Sequence, residues 1–135
     1  MAGVIGWIGG GTGSGKTTVT RVLAGRHGLR VFPLDAFWYS HAARLPEPEP
    51  DPDEQWLGST PTEQAAEFEA VTRRRWPLVL NDLACLPACP PVVVEGPQVL
   101  PDLVPGGDAA VFLVATVQFQ RSVLERRPLP HTGDP

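Results

Sequence analysis

Lysine, cysteine and long apolar runs are all scarce in this chain of 135 residues. No apolar stretch approaches the about 20 residues that a membrane-spanning helix needs, so no membrane partner is expected. The first residues have no basic lead before a long apolar stretch, which argues against an export signal. The two cysteines, Cys85 and Cys89, lack the second ligand pair of a zinc site. They are interpreted as reduced thiols, and a cytoplasmic location is expected.

Acidic charge is concentrated in one part of the sequence. The formal net charge is −4, and five of the fifteen acidic residues fall within residues 46–54, where proline alternates with glutamate and aspartate. Proline in this pattern excludes a helix or a central strand, so a solvated, extended surface loop is predicted. A chain with this charge is not expected to bind nucleic acid.

Four short apolar runs predict the strands of a parallel sheet. They cover residues 4–9, 30–34, 91–95 and 109–115. The first, third and fourth runs are continuous rather than alternating, which is typical of strands buried on both faces. Pro33 favours an edge position for the second. Helical patterns separate the runs, so the fold class is predicted to be α/β.

The helical segments are predicted from capping residues and apolar spacing. Residues 16–27 form the first, ended by Gly25 or Gly28. The sequence Thr-Pro-Thr-Glu at residues 60–63 predicts a second helix start, with a helix that reaches about residue 75 and buries Ala66, Phe68 and Val71. Basic residues 73–75 fit the end of that helix. Pro77 is expected to start another helix over residues 78–86, and residues 117–127 form the last.

A glycine-rich phosphate loop follows the first strand. Residues 10–17 are GGTGSGKT, which fits the pattern G-x-x-x-x-G-K-[ST] between a strand and a helix. Glycines let successive backbone N–H groups turn towards an anion, and the helix N-terminus adds partial positive charge. Lys16 is expected to reach the terminal phosphates, and Thr17 to offer its hydroxyl to Mg²⁺. The residues expected to bind the nucleotide are Gly10, Gly11, Thr12, Gly13, Ser14, Gly15, Lys16, Thr17 and Thr18.

Several other nucleotide-binding classes are disfavoured. The dinucleotide pattern G-x-G-x-x-[GA] has no match among these glycines. The guanine-reading motif of GTPases needs a lysine, and the only lysine, Lys16, already lies in the phosphate loop. Neither Asp-x-x-Gly nor the transporter sequence LSGGQ occurs.

Short motifs at the predicted strand ends resemble the P-loop kinases of small molecules. Residues 34–39, LDAFWY, are similar to the Asp-x-Phe-Tyr stretch of uridine-kinase-like enzymes. Residues 92–96, VVVEG, resemble a hydrophobic-Glu-Gly motif, and residues 119–127, FQRSVLERR, resemble the arginine-bearing start of a lid. Residues 53–56 and 81–83 look like parts of bacterial P-loop kinase-like proteins. The resemblance is to the group of uridine, nucleoside and nucleotide kinases.

This resemblance implies roles for three residues outside the phosphate loop. Asp35 would accept a proton from the acceptor hydroxyl, with the capping of a turn or helix as the alternative. Glu95 would hold Mg²⁺ through water, or simply end a strand at the surface. Arg126, with Arg121 or Arg127, would neutralise charge on the transferred phosphoryl group. The aromatic residues 37–39 are expected to pack in the core, with stacking on a substrate as the alternative.

The resemblance also implies a three-layer P-loop NTPase fold. Residues 1–127 would form the kinase-like domain, with strand order 2-3-1-4 and a missing fifth strand, and residues 128–135 an irregular tail. The fourth strand would then be an apolar edge, so truncation of the reading frame, a covering tail or a homo-oligomer is expected. The predicted function is transfer of the γ-phosphoryl group of Mg-ATP to a small-molecule acceptor. A nucleotide-binding regulatory module without transfer activity, or an inactive fragment, is the alternative.

Overall fold

The computed structural model describes residues 3–11, 13–46, 49, 57–114 and 118 of the chain. Its helices separate β1 from β2 and β2 from β3, in agreement with the predicted α/β class. A short 3-10 helix, Leu34–Phe37, leads from β2 directly into α2. The strands and helices in the described residues are β1 (Val4–Gly10), α1 (Lys16–His27), β2 (Arg30–Pro33), α2 (Trp38–Ala43), α3 (Pro61–Ala84), β3 (Val92–Glu95) and β4 (Ala110–Leu113).

The strands form one parallel sheet in the order β2-β3-β1-β4. This order confirms the predicted 2-3-1-4. β3 lies between β1 and β2, and Val94 pairs in register with Trp7 on one side and Phe32 on the other. All four residues of β3 are buried, as predicted for a continuous apolar run. The carboxyl ends of β1, β2 and β3 therefore reach the same edge of the sheet.

Helices cover both faces of the sheet. On one face, Val92 and Val94 form a core with Trp76, Val79 and Leu83 of α3. The Trp7 ring packs in this core, 5.5 Å from the Trp76 ring between centroids. On the other face, Val93 borders a groove together with residues of α1. Because successive residues of a strand point to opposite faces, the sheet lies between α1 and α3.

The prediction that the fourth strand is buried on both faces is wrong. β4 pairs with β1 through residues 110–113 at the edge of the sheet, and Val111 is 53% exposed and Phe112 38%. Val19 and Leu23, on the neighbouring face of α1, are also partly exposed. Within the described ranges no element covers these side chains. The apolar run therefore marks a strand, but its burial depends on a cover that the described part of the chain does not supply.

The break predicted at Pro77 is also wrong, because α3 runs through it as one helix of 24 residues. A proline inside a helix removes one backbone hydrogen bond, at a cost of about 3 kcal/mol. Core residues on both sides of it, Trp76 and Val79, bury apolar surface that offsets this cost. The predicted start is confirmed, since Thr60 and Glu63 form a capping box. Among the described helices, α3 included, none combines the length and the apolar character that crossing a bilayer requires.

The buried face of α3 differs from the predicted one. Ala66 is exposed, and Phe68 and Val71 are only half-buried. The buried side chains instead begin one turn later and follow a single stripe at helical spacing. They are Thr72, Arg75, Trp76, Val79 and Leu83.

Candidate functional site

The loop of residues 11–15 joins β1 to α1 and depends on glycine. Gly13 and Gly15 have φ values of 80° and 90°, a left-handed conformation that a Cβ atom disfavours. At Gly10, φ is 143°, and a Cβ atom would lie 2.7 Å from the Leu113 carbonyl oxygen. Glycine at these three positions therefore permits the sharp turn between the centre of the sheet and α1.

The N-terminus of α1 opens onto this loop. No side chain caps it, and its first turn contains no acidic residue. The first N–H groups of a helix have no partner within the helix, and the helix dipole adds partial positive charge there. This end of α1 is therefore suited to an anion.

Lys16 adds a full positive charge to the same place. It is the first residue of α1 and only 8% exposed. Its Nζ atom lies 3.3 Å from the Gly11 carbonyl oxygen, so the ammonium group folds back over the loop. Ser14 Oγ is buried and has no hydrogen-bond partner within the described ranges. A buried hydroxyl in this loop without a partner in the described residues could donate a hydrogen bond to an anion there.

Thr17 and Glu95 meet beside the loop. Thr17 Oγ1 donates a hydrogen bond to Glu95 Oε2, at 3.3 Å. Glu95 ends β3 and is 6% exposed, so its carboxylate is largely removed from water. A buried carboxylate with little compensation favours a cation nearby.

These two oxygen donors fit a magnesium ion that is held mainly by its substrate. Mg²⁺ takes oxygen ligands, keeps several waters, and is usually bound through one or two protein groups together with phosphate oxygens. In the described part of the chain no three His, Cys, Asp or Glu side chains form a group that could hold a metal ion. The pair therefore suits a metal that arrives with a phosphate ligand, not one enclosed by protein side chains.

Asp35 lies at the same edge of the sheet, in the 3-10 helix that follows β2. Its side chain is exposed. Gln98 Nε2 donates a hydrogen bond to Asp35 Oδ1, at 2.8 Å. Gln98 follows β3 and is 5% exposed, so a buried amide fixes the position of an exposed carboxylate.

Gly96 permits this contact between Gln98 and Asp35. A Cβ atom at Gly96 would lie 2.5 Å from Gln98 Oε1 and 3.1 Å from Leu34 Cβ. The backbone at Gly96 is also held by a hydrogen bond from its N–H to the Ile8 carbonyl oxygen. The sequence analysis does not identify Gln98; its only signal is its place just beyond the carboxyl end of a buried strand, where open α/β sheets bind ligands.

The structure brings most of the predicted site residues to one edge of the sheet. The phosphate loop, Thr17 and Glu95 are contiguous, and Asp35 is connected to the loop after β3 through Gln98. No described hydrogen bond joins Asp35 to Lys16 or to Glu95. Thr12, Arg121, Arg126 and Arg127, and almost all of the predicted helix over residues 117–127, lie outside the described residues.

The aromatic residues after β2 have three different environments. Phe37 stacks on Phe32 with ring centroids 4.5 Å apart, in agreement with the predicted core packing. Tyr39 is 86% exposed. The Trp38 ring supports the guanidinium group of Arg75, which lies 3.7 Å from the ring centroid. Trp38 therefore belongs to a polar cluster that the sequence does not indicate.

That cluster is centred on Arg75 and corrects two predictions. Arg75 lies in the middle of α3, not at a helix end, and is only 4% exposed. Its Nη1 atom donates to the Trp38 carbonyl oxygen at 2.7 Å, and its Nε and Nη2 atoms donate to the two carboxylate oxygens of Glu49. Glu49 belongs to the stretch predicted to be a solvated loop, yet it is half-buried and also pairs with Arg74. Hydrogen bonds from Arg75 hold the pKa of Glu49 below its usual value.

In comparisons with known proteins, no family model, no curated protein and no solved structure matches the chain.

Gly96→Ala tests the contact that positions Asp35. We expect a loss of about 1–3 kcal/mol in the free energy of unfolding, because the new methyl group overlaps Gln98 Oε1 and crowds Leu34. Urea denaturation measures this loss. Gly106→Ala is the matched control, since a Cβ atom there meets nothing within 4 Å, and we expect a change below about 1 kcal/mol. Equal stability of the two variants would contradict the described packing.

Glu49→Gln tests the carboxylate that pairs with Arg75. Its pKa is lower in the folded state than in the unfolded state, where it is near 4.5. The carboxylate therefore stabilises the fold fully above pH 4.5, and this contribution is lost as the pH falls through the folded-state pKa. At pH 7 we expect the variant to be less stable by about 1–3 kcal/mol, with the difference shrinking below pH 4.5. Urea denaturation across pH 3–7 measures it. Glu69→Gln removes an exposed partner of Arg73 and should cost at most about 0.5 kcal/mol; a similar cost for both variants would contradict the pairing.

Proposed function

We propose that this protein binds a nucleoside triphosphate with magnesium and transfers its γ-phosphoryl group to a small-molecule acceptor. The single observation that carries the proposal is the glycine turn of residues 10–15, with the buried Lys16 folded over it at an uncapped helix N-terminus. Backbone N–H groups, a helix dipole and one ammonium group converge there, and polyphosphate is the biological anion that uses all three. The parallel sheet and its strand order support a three-layer P-loop NTPase fold as part of the proposal.

The loop would bind the donor, and Lys16 would move from the Gly11 carbonyl oxygen to the phosphates. That movement exchanges a neutral acceptor at 3.3 Å for negatively charged oxygens, which attract the ammonium group as opposite charges as well as accepting its hydrogen bonds. Thr17 and Glu95 would hold Mg²⁺, Glu95 through water. When bound, the ion supplies charge neutralisation at the phosphates.

Asp35 would act on the acceptor. As the acceptor oxygen forms a bond to the γ-phosphorus, the bond from that phosphorus to the bridging oxygen breaks and the nucleoside diphosphate leaves. The hydroxyl proton passes to the Asp35 carboxylate, which Gln98 holds in place. Nucleosides, nucleotides and other small alcohols are the acceptor classes to test. Arg126 is proposed to contribute a further positive charge.

Binding of the donor is tested with Lys16→Ala. We expect wild-type protein to bind Mg-ATP or Mg-GTP in isothermal titration calorimetry, and the variant to bind at least about tenfold more weakly, because it loses the only ammonium group over the loop. Arg26→Ala removes a positive charge from the far end of the same helix and should change the Kd by less than about twofold. No heat with folded wild-type protein, or equal binding by both variants, would contradict donor binding.

Transfer is tested with Asp35→Asn. We expect kcat to fall by about 10²-fold or more with KM for ATP nearly unchanged, because the amide keeps an oxygen for Gln98 but accepts no proton. ADP release with a panel of nucleosides, nucleotides and hydroxylated small molecules measures turnover. Asp102→Asn alters an exposed partner of Arg73 and should leave kcat unchanged. Tight donor binding without acceptor-dependent turnover would instead favour a nucleotide-binding regulatory module.

A further inference from the structure

A small cavity lies next to Gln98, the residue that holds Asp35. Its polar lining residues are His41 of α2, Thr72 and Arg75 of α3, and Gln98; the remaining lining residues are apolar or aromatic: Leu34, Trp38, Trp76 and Val79. Its volume, about 10 Å³, corresponds to a single water position. The cavity therefore touches the amide that holds Asp35, but it is closed to a larger ligand in this conformation.

Two buried polar atoms on its wall have no hydrogen-bond partner in the described residues. They are Thr72 Oγ1 and Gln98 Oε1, and their residues are 2% and 5% exposed. The orientation of the Gln98 amide is fixed, because its Nε2 atom donates to Asp35, and the reverse orientation would place two acceptor oxygens together. A buried polar atom without a partner destabilises the fold, because it has lost its hydrogen bonds to water. A group that donates to Gln98 Oε1 would relieve this destabilisation.

The third feature of the wall is Arg75, a buried cation whose Nε and Nη2 atoms bind the Glu49 carboxylate. The guanidinium group of Arg75 lies over the Trp38 ring. One of its N–H groups donates a hydrogen bond to the Trp38 carbonyl oxygen. The remaining edge holds both oxygens of Glu49, the paired geometry in which arginine binds carboxylates and phosphates. Glu49 comes from the acidic, proline-rich stretch of residues 46–54, outside the helices and strands that form the cavity wall. It occupies Arg75 as an anionic ligand would.

We propose that Thr72, Arg75 and Gln98 form the binding site for the acceptor, and that Glu49 closes this site as an internal substitute for the acceptor's anionic group. The acceptor is accordingly a small molecule that carries a carboxylate or phosphate group, for Arg75, together with a hydrogen-bond donor for Gln98. Its anionic group displaces Glu49 from Arg75, and its hydrogen-bond donor binds Gln98 Oε1, on the amide that holds Asp35. The identification of this ligand as the acceptor rests on the proposed function; the anion site at Arg75 does not.

The experiment uses three matched probes that differ only at one end: glycerate, glycerol 3-phosphate and glycerol. Each is titrated by ligand-observed NMR into the full chain, with the phosphate loop saturated by the magnesium complex of a non-hydrolysable ATP analogue. The carboxylate and phosphate probes distinguish the two anionic groups, and glycerol reports binding without an anion. Direct titration of the ATP analogue tests the proposed function separately.

Glu49→Gln is the decisive variant. We expect it to bind at least one anionic probe about tenfold or more tightly than wild-type protein, because an internal competitor at millimolar effective concentration has lost its charge. Glu69→Gln, which removes an exposed carboxylate from the same helix as Arg75, should bind as wild type does, and glycerol should bind equally to all three. No gain for Glu49→Gln over the other two proteins overturns the proposal.

Thr72→Val keeps the test decisive should Glu49→Gln not fold. The substitution preserves the shape of the side chain and removes a hydroxyl that has no partner in the described residues. If Thr72 has only a structural role, the variant should be as stable as wild type or more stable, and it should bind the probes equally well. We expect unchanged or higher stability together with a loss of anionic-probe affinity of about threefold or more. Unchanged affinity overturns the proposal. If the ATP analogue fails to bind while Glu49→Gln gains affinity for the anionic probes, the anion site stands and the kinase function fails.

Discussion

The absence of Cβ atoms at residues 10, 13 and 15 lets the chain leave the centre of the sheet, turn sharply and enter α1. The proposed donor site depends on that turn. It aims an uncapped helix N-terminus at the sheet edge and places Lys16 over the loop and Thr17 against Glu95. A side chain at any of the three positions would meet either a disfavoured φ angle or the neighbouring strand.

The parallel sheet converts this local turn into a site. Because β1, β2 and β3 run in the same direction, the loop, Asp35 and Glu95 come to one edge, although they are far apart in sequence. Gln98 and Gly96 then connect the loop after β3 to Asp35. Next to Gln98, a small cavity is lined by the buried Arg75 and by Thr72, and two polar atoms of Thr72 and Gln98 are buried without a partner in the described residues. We propose that the glycine turn binds a phosphoryl donor and that the Arg75 site binds its acceptor.

The sequence predicts those features that depend on local pattern. Continuous apolar runs identify the strands, and the spacing of the glycines before Lys16 identifies the turn into α1, because both depend on neighbouring residues. The strand order follows from the family resemblance and agrees with the structure. With that order β4 is predicted to be an apolar edge strand, and the structure agrees. Its predicted burial on both faces is wrong, because an apolar run records a tendency towards burial and not the presence of a cover. The continuity of α3 through Pro77 depends on core contacts of Trp76 and Val79. The roles of Gln98 and Arg75 also depend on distant contacts, and the sequence therefore does not identify them. Their partners, Asp35 and Glu49, lie 63 and 26 residues away.

The most direct test of the central claim is residue-resolved NMR of the backbone amides during titration with magnesium tripolyphosphate and, separately, adenosine. Tripolyphosphate has no base or ribose, so it isolates the contribution of the loop. The account predicts that the largest chemical-shift changes with tripolyphosphate fall within residues 10–18, and that adenosine alone leaves these amides unchanged. A folded protein whose amides at residues 10–18 do not respond to tripolyphosphate, or respond less than amides elsewhere, would contradict it.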